Sequence, residues 1–203
     1  MSVALVFPGQ GSQSVGMMAA YGENAVIRNT FAEASDALGE DLWQMLEDGP
    51  AERLALTVNT QPLMLTAGVA VYRAWRAAGG PQPEVVAGHS LGEYAALYAA
   101  GVFDFATGVR LVRERGQLMN EAREGGMAAV VGADADALRR VLDAGGHDGV
   151  DVANFNAPTQ IVLSGPAAAL DAAALACQDA GFMVVPLKVS AAFHSRLMAS
   201  ARE

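Results

Sequence analysis

Two short apolar runs, each closed by a turn, predict buried strands of a parallel sheet. Val3–Phe7 is a continuous apolar run followed by Pro8-Gly9, and residues 85–87 form a second run followed by Gly88. Runs without polar alternation are typical of parallel strands, because helices cover both faces of such a sheet. A helix is predicted directly after the second run, over residues 91–100. The chain there passes from a strand through a sharp turn into a helix.

Longer stretches with helical spacing of apolar residues predict further helices over residues 25–37, 63–78 and 106–123. Pro62 suits the first position of the second of these helices. Proline has no N–H group, and the first turn of a helix offers no intrahelical acceptor for one. The chain up to residue 123 is therefore predicted to alternate between strands and helices in one α/β domain.

From residue 125 the pattern changes to short strands and helices in the order β-α-β-β-α-β. The predicted strands cover residues 127–131, 150–154, 160–164 and 182–189, and the predicted helices cover residues 134–142 and 166–180. This order is that of a ferredoxin-like unit. We predict an α/β fold with a parallel-sheet core over residues 1–123 and 190–203, and a ferredoxin-like insert over residues 124–189.

Composition and charge argue against several classes of partner and location. The chain has 203 residues and a net charge of −9, which argues against nucleic acid or an anionic membrane as the main partner. Its single cysteine, Cys177, excludes an internal disulfide and is expected to be a buried, inert thiol. The N-terminus has neither a basic n-region nor an apolar run of about 20 residues. A cytoplasmic protein without a membrane span is the expectation.

Residues 88–92, with the sequence GHSLG, match the nucleophile-elbow pattern G-x-S-x-G between a strand and a helix. The pattern predicts that Ser90 adopts a strained backbone conformation at the tip of the turn. Side chains at Gly88 and Gly92 would collide where the strand and the helix approach. The helix N-terminus favours developing negative charge. A chance match of a short glycine-rich motif is the alternative.

The first glycine-rich loop, residues 7–13, has the sequence FPGQGSQ. A Walker loop would need Gly-Lys followed by Ser or Thr, which is missing. A dinucleotide fingerprint would need a glycine at position 14, which is serine. The loop instead suits the close approach of backbone N–H groups to a polar ligand. The N–H groups of Gln10 and Leu91 are the predicted oxyanion donors, because both loops follow strands expected to be neighbours.

A serine nucleophile needs a base within hydrogen-bond reach, and the chain has three histidines. His89 is adjacent to Ser90 but points away from it, and is expected to pack under the turn. His147 lies in a glycine-rich loop. Elimination leaves His194, in the order serine then histidine that elbow enzymes have. A structural role for a lone histidine remains the alternative.

Six sequence blocks together resemble the malonyl-CoA:acyl-carrier-protein transacylase family of bacterial fatty acid synthesis. The blocks are FPGQGSQ at 7–13, TQP at 60–62, GHSLGEY at 88–94, RGQLM at 115–119, NFNAP at 154–158 and AFHS at 192–195. The family is related to the acyltransferase domains of polyketide synthases. The resemblance implies an α/β-hydrolase-like core with a ferredoxin-like insert, and no bound cofactor or metal.

The resemblance also implies roles for individual residues. Ser90 would attack the thioester of malonyl-CoA, and His194 would act as its base. Arg115 would pair with the free malonyl carboxylate, for which a planar guanidinium is suited. The thiol of phosphopantetheine on acyl carrier protein would then accept the malonyl group. The residues implied to line the pocket are Gln61, Met119 and Phe193, the last being typical of selection for malonyl over methylmalonyl.

Family members continue well beyond the position of His194, whereas this chain ends at residue 203. The resemblance therefore predicts a truncated product, a fragment or a partial structure. The missing part would complete the sheet and supply the main-chain oxygen that orients the histidine. Without it, the core is expected to expose apolar surface and a sheet edge, which makes the activity of this chain uncertain.

Two other functions are compatible with the sequence. A thioesterase or lipase-like hydrolase would use the same elbow and would need an orienting acid, for which Asp104 and Asp151 are candidates. A non-catalytic module that binds carrier protein is the second alternative. The sequence does not distinguish a fatty acid from a polyketide carrier protein, nor does it give the oligomeric state. Arg196 and Lys188 are the candidates for carrier docking.

Overall fold

A computed structural model describes residues 2–121 and 125–201 of the chain. The chain forms two compact units, Met1–Gln117 and Leu118–Glu203. The elements of the first unit are β1 (Ala4–Phe7), α1 (Ala25–Leu38), α2 (Leu42–Asp48), α3 (Ala51–Ala55), α4 (Thr57–Ala77), β2 (Val85–Gly88), α5 (Gly92–Ala99) and α6 (Phe105–Glu121). The last turn of α6 extends past the boundary of this unit.

The strands β1 and β2 are parallel neighbours, as predicted. Ala4 pairs with Val85 and Phe7 pairs with Gly88, so both strands end at the same edge of the sheet. The backbone N–H of His89 continues the ladder by donating to the carbonyl of Phe7 at 3.0 Å. The glycine-rich loop after β1 and the G-x-S-x-G turn after β2 therefore leave the sheet side by side.

Helix α4 is the centre of the first core. Its buried residues Leu63, Leu65 and Val69 are almost without solvent exposure, and α1 and α5 pack against it. Phe31 of α1 contacts the ring of Trp43 edge to face, with centroids 5.1 Å apart.

Elsewhere in this unit, apolar side chains remain exposed on the strands. Val6 is 75% exposed and Val85 is 61% exposed, which agrees with the expectation of exposed apolar surface on the core.

The predicted start of α4 at residue 63 was wrong, because the helix begins at Thr57 and contains Pro62. A proline this near the helix start removes the bond to one carbonyl, that of Val58. Side chains of the same turn tie it to the preceding helix, since the Thr60 hydroxyl donates to the carbonyl of Leu54, and the Asn59 amide donates to the carbonyl of Arg53. Burial of this first turn stabilises a helix that proline alone would disfavour.

The second unit contains the β-α-β-β-α-β order of a ferredoxin-like fold that the sequence predicted. Its elements are β3 (Gly126–Val131), α7 (Ala135–Ala144), β4 (Asp151–Ala157), β5 (Gln160–Gly165), α8 (Ala167–Asp179) and β6 (Met183–Pro186). All neighbouring strands are antiparallel, in the order β4-β5-β3-β6. The α/β class is therefore confirmed, and residues 2–121 and 125–201 form one parallel and one antiparallel sheet.

The predicted end of β6 differs from the structure, whereas the predicted end of α6 is not tested. Helix α6 is described as far as Glu121, and the predicted extension to Arg123 lies outside the described residues. Strand β6 ends at Pro186, whereas the prediction continued to residue 189. Pro186, which has no N–H group for the ladder, forms the last register pair with Ala128, and the N–H of Leu187 makes one further bond to the carbonyl of Met127 at 2.9 Å.

The sheet of the second unit has an apolar core on each face. On the helix side, Val130, Leu163 and Cys177 are fully buried. Burial raises the pKa of the Cys177 thiol, as expected of an inert cysteine. The other face carries Met119, Met127, Ala129, Val162, Ala191, Phe193 and Met198. Residues near His194 thus pack on this sheet, and the assignment of residues 190–203 to the core domain stays a prediction.

Within residues 2–121 and 125–201, no helix is both long and apolar enough to cross a membrane.

Candidate active site

The turn after β2 has the strained geometry that the G-x-S-x-G pattern predicts. Ser90 has φ +51°, in the left-handed region that non-glycine residues rarely adopt. A Cβ on Gly88 would lie 2.0 Å from the backbone of Gly92, and a Cβ on Gly92 would lie 2.2 Å from the carbonyl oxygen of Phe7. Both glycines are therefore required by close backbone contacts. They hold the half-buried Ser90 immediately before α5.

Gly92→Ala is expected to lower the free energy of unfolding by about 1–3 kcal/mol, because backbone atoms cannot move aside like a side chain. The measurement is the urea midpoint at unchanged m-value. Gly126→Ala is the control, since its Cβ would meet Leu170 at an ordinary 3.5 Å. Equal midpoints for the two variants would show that the turn tolerates a side chain.

The two predicted oxyanion donors follow the paired strand ends at the same offset. Phe7 and Gly88 are in register, and Gln10 and Leu91 each lie three residues further along. Among the described residues, neither of their N–H groups donates to a backbone carbonyl. The Gln10 side chain donates to the hydroxyl of Thr57 at 3.2 Å, which ties the first loop to the start of α4. Both N–H groups remain predicted donors to a substrate oxygen.

Arg115 is held within the first unit rather than extended into solvent. Its Nη1 donates to Oε1 of Gln61 at 2.7 Å, and Gln61 is fully buried. The guanidinium lies 5.4 Å from the ring centroid of Tyr94. Burial lowers the pKa of Arg115, while Tyr94 and Glu93 oppose that change. An arginine remains charged in such a setting, so a partly desolvated cation is available to bind an anion.

A close crossing of α6 and α4 brings Arg115 to Gln61. A Cβ on Gly116 would lie 3.0 Å from both the carbonyl oxygen of Thr57 and Cα of Val58. The absence of a side chain at Gly116 therefore lets the two helices approach. The contact of Tyr94 with Arg115 was not predicted from the sequence. The available signal was its place one helical turn after Ser90, within the block GHSLGEY.

His194 has the second unusual backbone conformation. Its φ is +60°, and the non-glycine residues with positive φ in the described ranges are Ser90 and His194. Such conformations persist where the surroundings enforce them, and they concentrate at functional sites. His194 is exposed between two buried neighbours, Phe193 and Ser195. The Ser195 hydroxyl donates to the carbonyl of Ala192 at 2.7 Å, which closes the turn.

Met119 and Phe193, both predicted to line the pocket, are brought together in one apolar cluster of the second unit. They are 6% and 5% exposed, respectively. Their proximity supports a shared role in the pocket, which stays a prediction.

His89 is exposed, so the prediction that it packs under the elbow was wrong. Its carbonyl oxygen and its ring both lie against Gly9, where a Cβ would be 2.5 Å from the oxygen and 3.0 Å from Nδ1 of His89.

The candidate orienting acids of a hydrolase have other partners. Asp104 accepts bonds from the backbone N–H of Thr107 at 2.9 Å and from its hydroxyl at 2.7 Å. These hydrogen bonds lower the pKa of Asp104. Such contacts are those of a residue that caps the start of α6. Asp151 binds the side chain and backbone of Arg196. Neither contact supports the hydrolase alternative.

A group of three or more His, Cys, Asp or Glu residues able to hold a metal is not found among residues 2–121 and 125–201.

Comparison with known proteins identifies the class to which this fold and elbow belong. The family model described as an acyl transferase domain matches residues 4–203. The chain therefore belongs to the acyl transferase family.

Within that family, similar proteins are malonyl CoA-acyl carrier protein transacylases. One from Salmonella typhimurium is 48% identical over 206 residues, which cover 98% of this chain and 67% of the relative. The solved acyl-carrier-protein S-malonyltransferase from Burkholderia pseudomallei 1710b is 52% identical with a TM-score of 0.95, covering 99% of this chain and 67% of that one. The expectation that family members are longer than the part matched here is thus confirmed.

A third similar structure is a type II polyketide synthase acyl-carrier protein in complex with its malonyl-transacylase. It is 45% identical to this chain with a TM-score of 0.94, and the match covers 99% of this chain and 67% of that one.

Proposed function

We propose that this chain transfers malonyl groups from malonyl-CoA to the phosphopantetheine thiol of acyl carrier protein through a malonyl-serine intermediate. The observation that carries the proposal is Ser90, held at φ +51° on a glycine-bounded turn before α5 in a member of the acyl transferase family. Two relatives with this activity in their names support the choice of substrate. The chemistry needs no metal or bound cofactor.

In the first half-reaction, Oγ of Ser90 attacks the thioester carbon of malonyl-CoA. His194 takes the hydroxyl proton, and the N–H groups of Gln10 and Leu91 stabilise the oxyanion. The carbon–sulfur bond then breaks, and the CoA thiol leaves with the proton from His194. The product is malonyl-Ser90. Its ester remains next to the positive end of α5, which favours negative charge in both tetrahedral intermediates.

The second half-reaction reverses these roles. His194 takes the proton of the phosphopantetheine thiol, whose sulfur attacks the ester carbon. The Ser90 oxygen leaves and regains a proton from His194. Water is the competing acceptor, so a transferase must favour the thiol over hydrolysis. The reaction is a ping-pong transfer in which one serine serves both substrates.

Arg115 supplies the selectivity for a dicarboxylic acyl group. Its guanidinium can give two parallel N–H bonds to the free malonyl carboxylate, while its bond to the buried Gln61 fixes the orientation of the fork. Gln61 and Met119 contribute to the pocket wall. Phe193 restricts space beside the malonyl methylene, which disfavours a methyl branch. A neutral acyl group would leave the Arg115 charge without a partner.

The proposed pathway is fatty acid synthesis in the cytoplasm. A chain whose cysteine is free and buried suits a reducing compartment. A polyketide carrier is the other acceptor to test, because one similar transacylase is solved in complex with a type II polyketide synthase carrier. Measured transfer rates to one carrier of each type would decide between them.

Intact-mass measurement tests the proposal. Incubation with malonyl-CoA is expected to add one malonyl group, which peptide mapping locates on Ser90. Addition of holo carrier protein is expected to remove that group and malonylate the carrier. Release of free malonate at the same rate without a carrier would favour a hydrolase. Carrier binding without any adduct would favour the non-catalytic module.

A further inference from the structure

A bidentate ion pair connects the start of β4 to the chain just after His194. Oδ1 of Asp151 accepts from Nη2 of Arg196 at 2.7 Å. Both carboxylate oxygens of Asp151 also accept from Nε of Arg196 at 3.1 Å. Oδ2 also accepts from the backbone N–H of Arg196 at 2.7 Å. One carboxylate thus fixes both the side chain and the backbone of a residue two positions after His194.

The backbone contact makes this pair more than a surface salt bridge. Exposed ion pairs contribute little stability, and the Arg196 side chain is 61% exposed. The bond from the Arg196 N–H, however, restricts the path of the main chain. Asp151 is itself held by β-sheet pairing with Ser164 of β5. A rigid strand therefore holds the residue that follows the His194 turn.

His194 needs such restraint because its backbone is left-handed. A non-glycine residue at φ +60° is disfavoured and relaxes when its neighbours are free. Before it, Phe193 is anchored in the apolar core of the sheet. After it, Ser195 closes the turn by a bond to Ala192, and its oxygen accepts from the N–H of Leu197 at 3.2 Å. The bond to Asp151 ties this local turn to the sheet.

We infer that Asp151 is a positioning residue for His194, acting through the backbone and side chain of Arg196. Neither Asp151 nor Arg196 lies within the sequence blocks that carry the family resemblance. In a triad enzyme the orienting carboxylate bonds to the histidine ring. Here the carboxylate fixes the main chain that presents the ring. This role rests on the proposed function of His194 as the base for both half-reactions.

Asp151→Asn is expected to lower kcat about 10- to 100-fold, the range seen when a residue that orients a metal-binding histidine is lost. KM for malonyl-CoA is expected to stay unchanged, because Asp151 is not assigned to the substrate. Asp151→Glu is expected to restore part of the rate. Asp148→Asn is the matched control, since Asp148 acts on Arg196 by charge, whereas the Arg196 hydrogen bonds run to Asp151.

The pairing is tested by combining the two side-chain removals. Arg196→Ala keeps its backbone N–H and is expected to lose less activity than Asp151→Ala. The double variant is expected to be no slower than Asp151→Ala alone, because both changes act on one contact. Losses that multiply would mean that the two residues act independently, and would overturn the positioning role.

An NMR measurement keeps the inference separate from the proposed function. In Asp151→Asn, amide shifts and φ-dependent couplings at residues 193–197 are expected to change, whether or not the chain transfers malonyl groups. A wild-type chain that forms no adduct would count against the proposed function alone. Unchanged couplings at His194 together with an unchanged kcat would overturn the role of Asp151.

Discussion

Ser90→Ala is expected to reduce malonyl transfer by about 10⁴-fold or more, and to abolish the covalent malonyl adduct. Removal of a nucleophile eliminates the intermediate itself, so the remaining rate reflects only binding and oxyanion stabilisation. The measurement is transfer of labelled malonate to holo carrier protein. Because alanine also has to adopt φ +51° at this turn, the folded state is checked in parallel by the urea midpoint.

The control for this variant is Ser14→Ala, which removes an exposed hydroxyl in the same unit. It is expected to transfer at the wild-type rate.

His194→Ala is expected to lose nearly as much activity as Ser90→Ala. The double variant is expected to lose little more than either single variant, since a nucleophile and its base act as one unit. A Ser90→Ala protein that still accumulates adduct would place the nucleophile elsewhere.

Arg115→Ala is expected to reduce transfer of malonyl groups by about 10²- to 10³-fold, while transfer of acetyl groups is unchanged or faster. Truncating one partner of a buried charge pair costs about 2–5 kcal/mol, because the other charge loses its compensation. A neutral acyl group has no such charge. The measurement is kcat/KM for malonyl-CoA and acetyl-CoA with the same carrier protein.

Two variants sharpen this experiment. Arg115→Lys keeps the charge but not the planar fork, and is expected to recover only part of the malonyl preference. Arg110→Ala removes an exposed arginine of the same helix and is expected to leave both rates unchanged. An equal loss for malonyl and acetyl groups in Arg115→Ala would show that Arg115 supports the fold rather than the carboxylate.

The elbow could be predicted because its constraints are local. A strand, a turn and a helix that touch within a few residues leave room only for glycine, and the sequence displays those glycines directly. The parallel pairing of β1 with β2 followed from the same logic, since both loops were expected to leave one sheet edge. The β-α-β-β-α-β order of the second unit was predictable because its elements follow one another along the chain.

Other features depend on contacts that no local pattern encodes. Proline propensity suggested a helix start at Pro62, but burial of the preceding turn and the hydroxyl of Thr60 extended the helix to Thr57. The environment of Arg115 arises from Gln61, 54 positions earlier in the chain. The left-handed backbone of His194 depends on Asp151, 43 residues before it, through Arg196. Neighbours so distant in sequence cannot be read from a single chain.

Gly116 has a consequence for how acyl selectivity could change. The residue has no side chain with which to touch a ligand, yet the spacing of two helices depends on its small size. Enlarging it would displace the guanidinium next to it without altering any group that meets the acyl chain. Preference for a dicarboxylic substrate would then be lost through geometry alone, which makes this crossing a place to begin when a broader acyl donor range is wanted.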